Sequence, residues 1–147
     1  MTTQENIKLD ETNFEAWNAH NAAAALEQYA DDIVWYDVSL PEPLRGKEAV
    51  RTYIEDWFSA WPDMQLTVTN RVAADDQLAG ELVLHATNTV PLRLMPGAPA
   101  IPPTGRKVQV KATYFVRFHN GKAVEVHNYP DTAGLLMQLG LMPMPGS

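Results

Sequence analysis

HNGKAVEVHNYPD, residues 119–131, reads as the turn of a β-hairpin, its return strand and an exit that carries an acid. Asn120-Gly121 favours a two-residue type I′ turn, because both central positions of that turn need positive φ. A turn there predicts the register. His119 should sit opposite Lys122, Val116 opposite Glu125, Tyr114 opposite His127 and Ala112 opposite Tyr129. The incoming strand, Arg106–Phe118, alternates: Val108, Val110, Ala112, Tyr114, Val116 and Phe118 share one face, and Lys107, Gln109, Lys111, Thr113 and Arg117 the other. The apolar face should meet the core. Cross-strand partners share a face, so Glu125, His127 and Tyr129 are expected to point inward too. An acid, an imidazole and a phenol aimed at a core are costly unless they satisfy one another or line a cavity with chemistry.

Upstream, residues 1–5 are expected to fray, and Ile7–Ala19 suits a helix with Phe14 and Trp17 on one face. Asn21 is placed to cap a second helix, Ala22–Tyr29. Ile33–Asp37 alternates as a strand with Ile33, Trp35 and Asp37 together, and Ser39–Gly46 is a Pro-broken loop. Lys47–Ala60 carries Ala49, Val50, Tyr53, Ile54, Trp57 and Phe58 at helical spacing, which predicts packing against a sheet. Met64–Val72 is expected to bury Met64, Leu66, Val68, Asn70 and Val72, and to turn at residues 73–76 into the strand Gln77–Thr89, where Leu78, Leu82, Leu84 and Ala86 share a face. Pro91–Gly105, with five prolines and two glycines, cannot hold regular structure. Leu92, Leu94, Met95 and Ile101 make it apolar, which suits a cover over a pocket mouth or a contact with a partner subunit. Asp131 or Thr132 caps a last helix reaching about Leu139, and Gly140 stops it ahead of a loose tail. Helices followed by a strand meander predict one α+β domain over residues 1–147, a curved antiparallel sheet wrapped around the N-terminal helices. A hollow between the two layers would take a small ligand.

Composition narrows the function. The chain has 147 residues, 46% hydrophobic and 20% charged, enough for one globular core. A net charge of −7 argues against nucleic acid and anionic membranes as partners. The absence of cysteine removes disulfides, thiolate nucleophiles and cysteine-based zinc sites. The N-terminal residues lack the basic and apolar regions of a signal peptide, and no apolar run is long enough to span a membrane, so a cytoplasmic protein is expected. The four histidines show no metal-binding spacing, and there is no Gly-rich phosphate loop or serine elbow, so no metal and no cofactor are expected.

Several pieces, taken in order, resemble the SnoaL-like polyketide cyclase group of the nuclear-transport-factor-2-like (NTF2-like) superfamily. They are Trp17-Asn18-Ala19-His20-Asn21, Tyr29-Ala30-Asp31-Asp32-Ile33-Val34-Trp35, Arg45-Gly46-Lys47-Glu48-Ala49-Val50, Trp61-Pro62-Asp63, Pro103-Thr104-Gly105-Arg106, Phe115-Val116-Arg117-Phe118 with Asn120-Gly121-Lys122, and Tyr129-Pro130-Asp131 ahead of Gln138-Leu139-Gly140. The resemblance implies an α+β cone, commonly a homodimer. It also implies a small-molecule enzyme using general acid–base catalysis on a hydrophobic carbonyl compound, of polyketide cyclase, aldol or isomerase type. A non-catalytic ligand-binding or dimerisation module is the alternative, since the fold hosts both. In the cyclases an acid just after the last strand transfers the proton, and Asp131 stands there. In ketosteroid isomerase-like members an Asp ending the first strand does so, and Asp37 stands there. The supporting helix-one Tyr of those members falls on Asn13. The Arg-x-Asp of limonene-epoxide-hydrolase-like members is absent.

The candidates follow. Asp131 is the first choice as acid or base, and is equally a helix N-cap. His127 would orient the acid or donate to a substrate oxygen, or else be a histidine bonded to Tyr114 or Glu125. Asp37 is a second acid, or a loop-side acid at the surface. Tyr114 and Tyr129 are candidate donors to a substrate carbonyl, with ordinary core packing as the other reading. Phe14, Trp17, Trp35, Trp57 and Met64 would form the apolar lining around a hydrophobic ligand.

Overall fold

A computed structural model describes residues 2–93 and 97–146. The described residues form an open α+β cone of four helices and a six-stranded mixed sheet. The first helix, α1 (Thr3–Asn18), starts earlier than apolar periodicity suggests. Thr2 and Glu5 make a capping box: Glu5 N–H donates to Thr2 Oγ1 at 3.1 Å, and Thr2 N–H to Glu5 Oε2 at 3.3 Å. Asn21 caps α2 (Ala22–Leu26) by accepting from Ala24 N–H at 3.0 Å. That helix is shorter than expected, because Tyr29 already opens β1 (Tyr29–Asp37). The Pro-broken loop hides a short strand, β2 (Leu44–Arg45), which pairs with Val34 and Trp35. Then come α3 (Lys47–Ala60), β3 (Gln65–Ala74), β4 (Gln77–Thr87), β5 (Lys107–His119), β6 (Lys122–Pro130) and α4 (Thr132–Gln138).

The strand order is β2-β1-β6-β5-β4-β3. The sheet is antiparallel except where β1 lies beside β6 in parallel, which pairs the first long strand with the last. The core is continuous from Ile33 and Trp35 through Val50, Ile54 and Met64 to Leu78 and Val108, all at most 4% exposed.

Two bulges overturn the predicted facing. Asn120 and Gly121 have φ of 50° and 77°, and His119 does face Lys122. Phe118 then pairs with Ala123 but Arg117 with Glu125, so Val124 is an extra residue in β6. Beyond it every partner moves by one: Val116 meets Val126, Phe115 meets His127, Tyr114 meets Asn128 and Thr113 meets Tyr129. A one-residue slip sends a whole set of side chains to the opposite face. Glu125, His127 and Tyr129, expected inside, therefore face away from the core, and Val126, Asn128 and Pro130 take their places. The bulge lets β6 bury Val126 in place of Glu125, which avoids desolvating a carboxylate. In β3, Val68 pairs with Leu82 and Asn70 with Glu81, so Thr69 is the extra residue. Asn70 and Val72, also expected inside, turn outward, and Val72 is 62% exposed. Arg71 and Ala73 turn in.

Residues 88–93 and 97–106 form the two arms of a pinched excursion. Buried Asn88 accepts from Thr104 N–H at 2.7 Å and Thr104 Oγ1 at 2.8 Å, and Asn88 N–H donates to Arg106 O at 2.9 Å. Leu92 and Ile101 bridge across it at 2.9 and 2.7 Å. Leu94 and Met95, two of the apolar residues assigned to this segment, lie outside the described residues. Among the described residues no helix is long and apolar enough to cross a membrane.

Candidate functional site

Helices and sheet enclose a cavity of about 730 Å3, within the range of small-molecule sites. Its lining includes Phe14, Trp17, Trp35, Trp57 and Met64, as expected, and its wall is completed by Val90, Pro91 and Leu92 of the pinched excursion. Asp37 and Tyr114 also reach it. The aromatic side chains brace one another: Trp17 stacks on Trp35 at 6.3 Å between centroids, and Tyr53 tilts against Trp35 at 5.5 Å.

Polar groups enter this apolar hollow at two ends. At one, Asp37 closes β1 and is 6% exposed. Its Oδ1 accepts from Ser39 N–H at 2.8 Å and Ser39 Oγ at 2.5 Å, and its Oδ2 accepts from Tyr53 Oη at 2.8 Å. Burial raises the pKa of the Tyr53 phenol, and the neighbouring Asp37 carboxylate adds to the rise. Tyr53 is therefore a neutral donor at ordinary pH. Asn128 lines the cavity beside them, paired with Asp37 across β1 and β6.

At the other end, Asp10 of α1 is 4% exposed. Its Oδ2 accepts from Tyr114 Oη at 2.7 Å and from Arg71 Nε at 2.6 Å. Burial holds the Asp10 pKa above its ordinary value, against the pull of Tyr114 and Arg71. Desolvation likewise raises that of Tyr114, with Asp10 adding to it. Between the ends a relay is satisfied within the protein: Trp17 Nε1 donates to Tyr29 Oη at 3.1 Å, Tyr29 Oη to Asn13 Oδ1 at 3.2 Å, and Asn13 Nδ2 to Ala25 O at 3.3 Å. Burial pushes the Tyr29 pKa up to about 12.

The remaining candidates sit elsewhere. Asp131 is exposed and caps α4, its Oδ1 accepting from Gly134 N–H at 2.9 Å. The cavity lining passes it by and takes Pro130 and Thr132 on either side. His127 lies on the outer face of the sheet, stacked on Tyr36 at 4.5 Å, with Nε2 2.9 Å from Glu125 Oε1. The bond to Glu125 is one of the two anticipated for it, made on the outside. Glu125 is held below the usual carboxylate range by His127 and by Arg117, whose Nε donates at 2.8 Å. Tyr129 is on the same outer face and 47% exposed. His20 stacks on Phe58 at 4.6 Å and sits 2.8 Å from Met64 O, a packed role.

Asp10, Arg71, Tyr53 and Asn128 were not singled out from the sequence. Asp10 was within reach: with Asn13, Phe14 and Trp17 it falls on one helical face. Arg71 was hidden by the bulge at Thr69, Asn128 by the bulge at Val124, and the pairing of Tyr53 with Asp37 is purely tertiary.

Comparison with known proteins gives one family, and solved structures that share the fold. The family model described as SnoaL-like domain matches residues 11–126. AclR from Streptomyces galilaeus, a candidate hydroxylase, superposes with a TM-score of 0.84 at 25% identity, covering 97% of this chain and 89% of that one. IdmH from Streptomyces antibioticus, a candidate polyketide cyclase, gives 0.79 at 24% identity, covering 92% and 98%. An NTF2-like protein of unknown function from Burkholderia pseudomallei gives 0.74 at 19% identity, covering 95% and 98%. The last two likenesses speak for the fold alone. No curated protein matches the sequence.

Proposed function

The chain belongs to the SnoaL-like domain family, and from that premise we propose that it is a cyclase- or isomerase-type enzyme that moves a proton on a hydrophobic carbonyl compound by general acid–base catalysis. The observation that carries the reading is the convergence of one carboxylate and one neutral phenol, Asp37 and Tyr53, 2.8 Å apart at the wall of a large apolar cavity. Asp37 takes a proton from the carbon next to the ligand carbonyl. Tyr53 turns its O–H from Asp37 to the carbonyl oxygen and stabilises the enolate, so the two groups exchange a bond with each other for bonds to the ligand. The apolar walls exclude water and strengthen both interactions. Asp131 and His127 are left to cap a helix and to join the outer-face ion pair.

One observation favours the alternative, a ligand-binding module without chemistry: both Asp37 oxygens already accept bonds, three in all, so a ligand has to displace a donor already in place before it reaches the carboxylate. The experiment that separates the two is exchange of the α protons of 4-phenylcyclohexanone in heavy water, followed by proton NMR. The enzyme reading expects exchange above background in the wild type and its loss in Asp37→Asn, with the ketone still bound. Binding without exchange in the wild type would sink it.

A further inference from the structure

One row of cross-strand partners crosses the floor of the cavity. Asp37 pairs with Asn128, Asn128 with Tyr114, Tyr114 with Gly80, and Gly80 with Arg71. Partners in a sheet share a face, so all five positions lie on the inner face of the sheet, and Asp37, Asn128 and Tyr114 line the hollow. The row is polar at every position but Gly80, in a cavity whose lining is mostly aromatic and aliphatic. Gly80 is a berth rather than a gap: a Cβ there would lie 2.5 Å from Cε1, Cζ and Oη of Tyr114. The bare backbone lets the Tyr114 ring lie across β4 and carry its hydroxyl to Asp10.

We infer that Asp10 and Tyr114 form a second polar subsite, which accepts a hydroxyl group at the end of an elongated apolar ligand whose other end reaches Asp37. Both protein donors, Tyr114 Oη and Arg71 Nε, converge on Asp10 Oδ2, and Oδ1 takes neither. Asp10 and Tyr114 line the cavity, while Arg71 stands behind them and supplies the countercharge. The ligand therefore meets an acceptor at this end, and the group that suits an acceptor is a donor, a phenol or an alcohol. At the Asp37 end it meets the Tyr53 donor, which suits a carbonyl. Strand spacing sets the length: the Tyr114 hydroxyl lies over Gly80 of β4, three spacings of about 4.8 Å from Asp37 on β1, and a hydrogen bond of about 2.8 Å at each end leaves roughly 9 Å between the two ligand oxygens. The ligand class is a hydroxy-ketone with its two oxygens separated by a length of that order. This rests on the reading of the hollow as a ligand site, and is independent of proton transfer at Asp37.

The test uses three probes of one shape: 4-phenylcyclohexanone, 4-(4-hydroxyphenyl)cyclohexanone and 4-(4-methoxyphenyl)cyclohexanone. Ordinary bond lengths place the two oxygens of the second roughly 10 Å apart. Affinity is read from quenching of the cavity tryptophans. The wild type should bind the hydroxyl probe roughly tenfold tighter than the parent, the scale of one added hydrogen bond to a carboxylate. The methoxy probe, an acceptor with no proton to give, should bind no tighter than the parent. In Asp10→Asn the amide oxygen must serve Tyr114 and Arg71, so its NH2 replaces Oδ1 at the wall. Both a hydroxyl and a methoxy oxygen can accept from that NH2, so the preference for hydroxyl over methoxy should then disappear. Equal affinities for the three probes in the wild type, or methoxy binding as tightly as hydroxyl, overturn the inference without any variant having to fold. Survival of the preference for hydroxyl over methoxy in Asp10→Asn overturns it as well. Because the readout is binding, missing α-proton exchange would overturn the proposed catalysis and leave this subsite standing.

Discussion

Replacing Arg71 by methionine removes the guanidinium behind Asp10 and keeps an unbranched stem of similar length. In the native protein Nε lies 2.6 Å from Oδ2, with Asp10 4% and Arg71 22% exposed. The guanidinium also sits 5.8 Å over the Phe14 ring. Removing one partner of a buried ion pair costs about 3–5 kcal/mol, because the other charge is stranded. The partial exposure of Arg71 places this variant near the lower end, about 3 kcal/mol at neutral pH. For a domain of this size that is a fall of roughly 6–12 °C in Tm. The loss should depend on pH in a defined direction. Burial already holds the folded-state pKa of Asp10 above the ordinary 3.8, so native Asp10 opposes folding above that raised value, and the opposition fades as pH falls towards 3.8. Without Arg71 the folded pKa rises further. Between the two folded values the variant binds a proton that the wild type does not, so it regains stability relative to the wild type as pH falls through that window. Urea unfolding followed by tryptophan fluorescence, at neutral pH and at steps below it, measures both effects. A loss under about 1 kcal/mol at neutral pH, or one that is the same at every pH, would refute the assignment of a charged, desolvated Asp10–Arg71 pair.

Two further outcomes concern groups outside the cavity. Asp131→Ala should cost about 1 kcal/mol of stability through the lost N-cap of α4 and leave the affinity for 4-phenylcyclohexanone unchanged; a collapse of that affinity would return Asp131 to the site. Asn88→Ala removes the acceptor of Thr104 N–H and Oγ1. It should cost about 2–3 kcal/mol and speed hydrogen exchange at the Thr104 amide, and an unchanged exchange rate would show that the excursion is held by other contacts.

The alternation of Lys107–His119, the aromatic stripe of Lys47–Ala60 and the Asn-Gly turn are properties of the sequence itself, and with the order of the elements they were enough to predict an α+β fold of helices on a curved sheet, with Trp57 and Tyr114 turned towards the core. These features are local: a period of two or of 3.6, or a positive φ, is written in adjacent residues. The family resemblance added the same fold and pointed to Asp37, which the cavity does contain. What the sequence could not decide is which polar side chains enter. That choice was made by two single-residue bulges, at Thr69 and Val124, and a bulge depends on a competition between distant groups. At Val124 the alternatives were a buried Val126, with Glu125 outside next to Arg117, or a buried Glu125 with no cation beside it. The energy of the sheet as a whole, not the pattern of β6, selects the first. The same competition turned Arg71 inward to meet Asp10, 61 residues away, and brought Tyr53 from α3 onto Asp37. Contacts between elements so far apart in the chain exist only once the sheet has curved around the helices, and so only the tertiary structure could assemble the site.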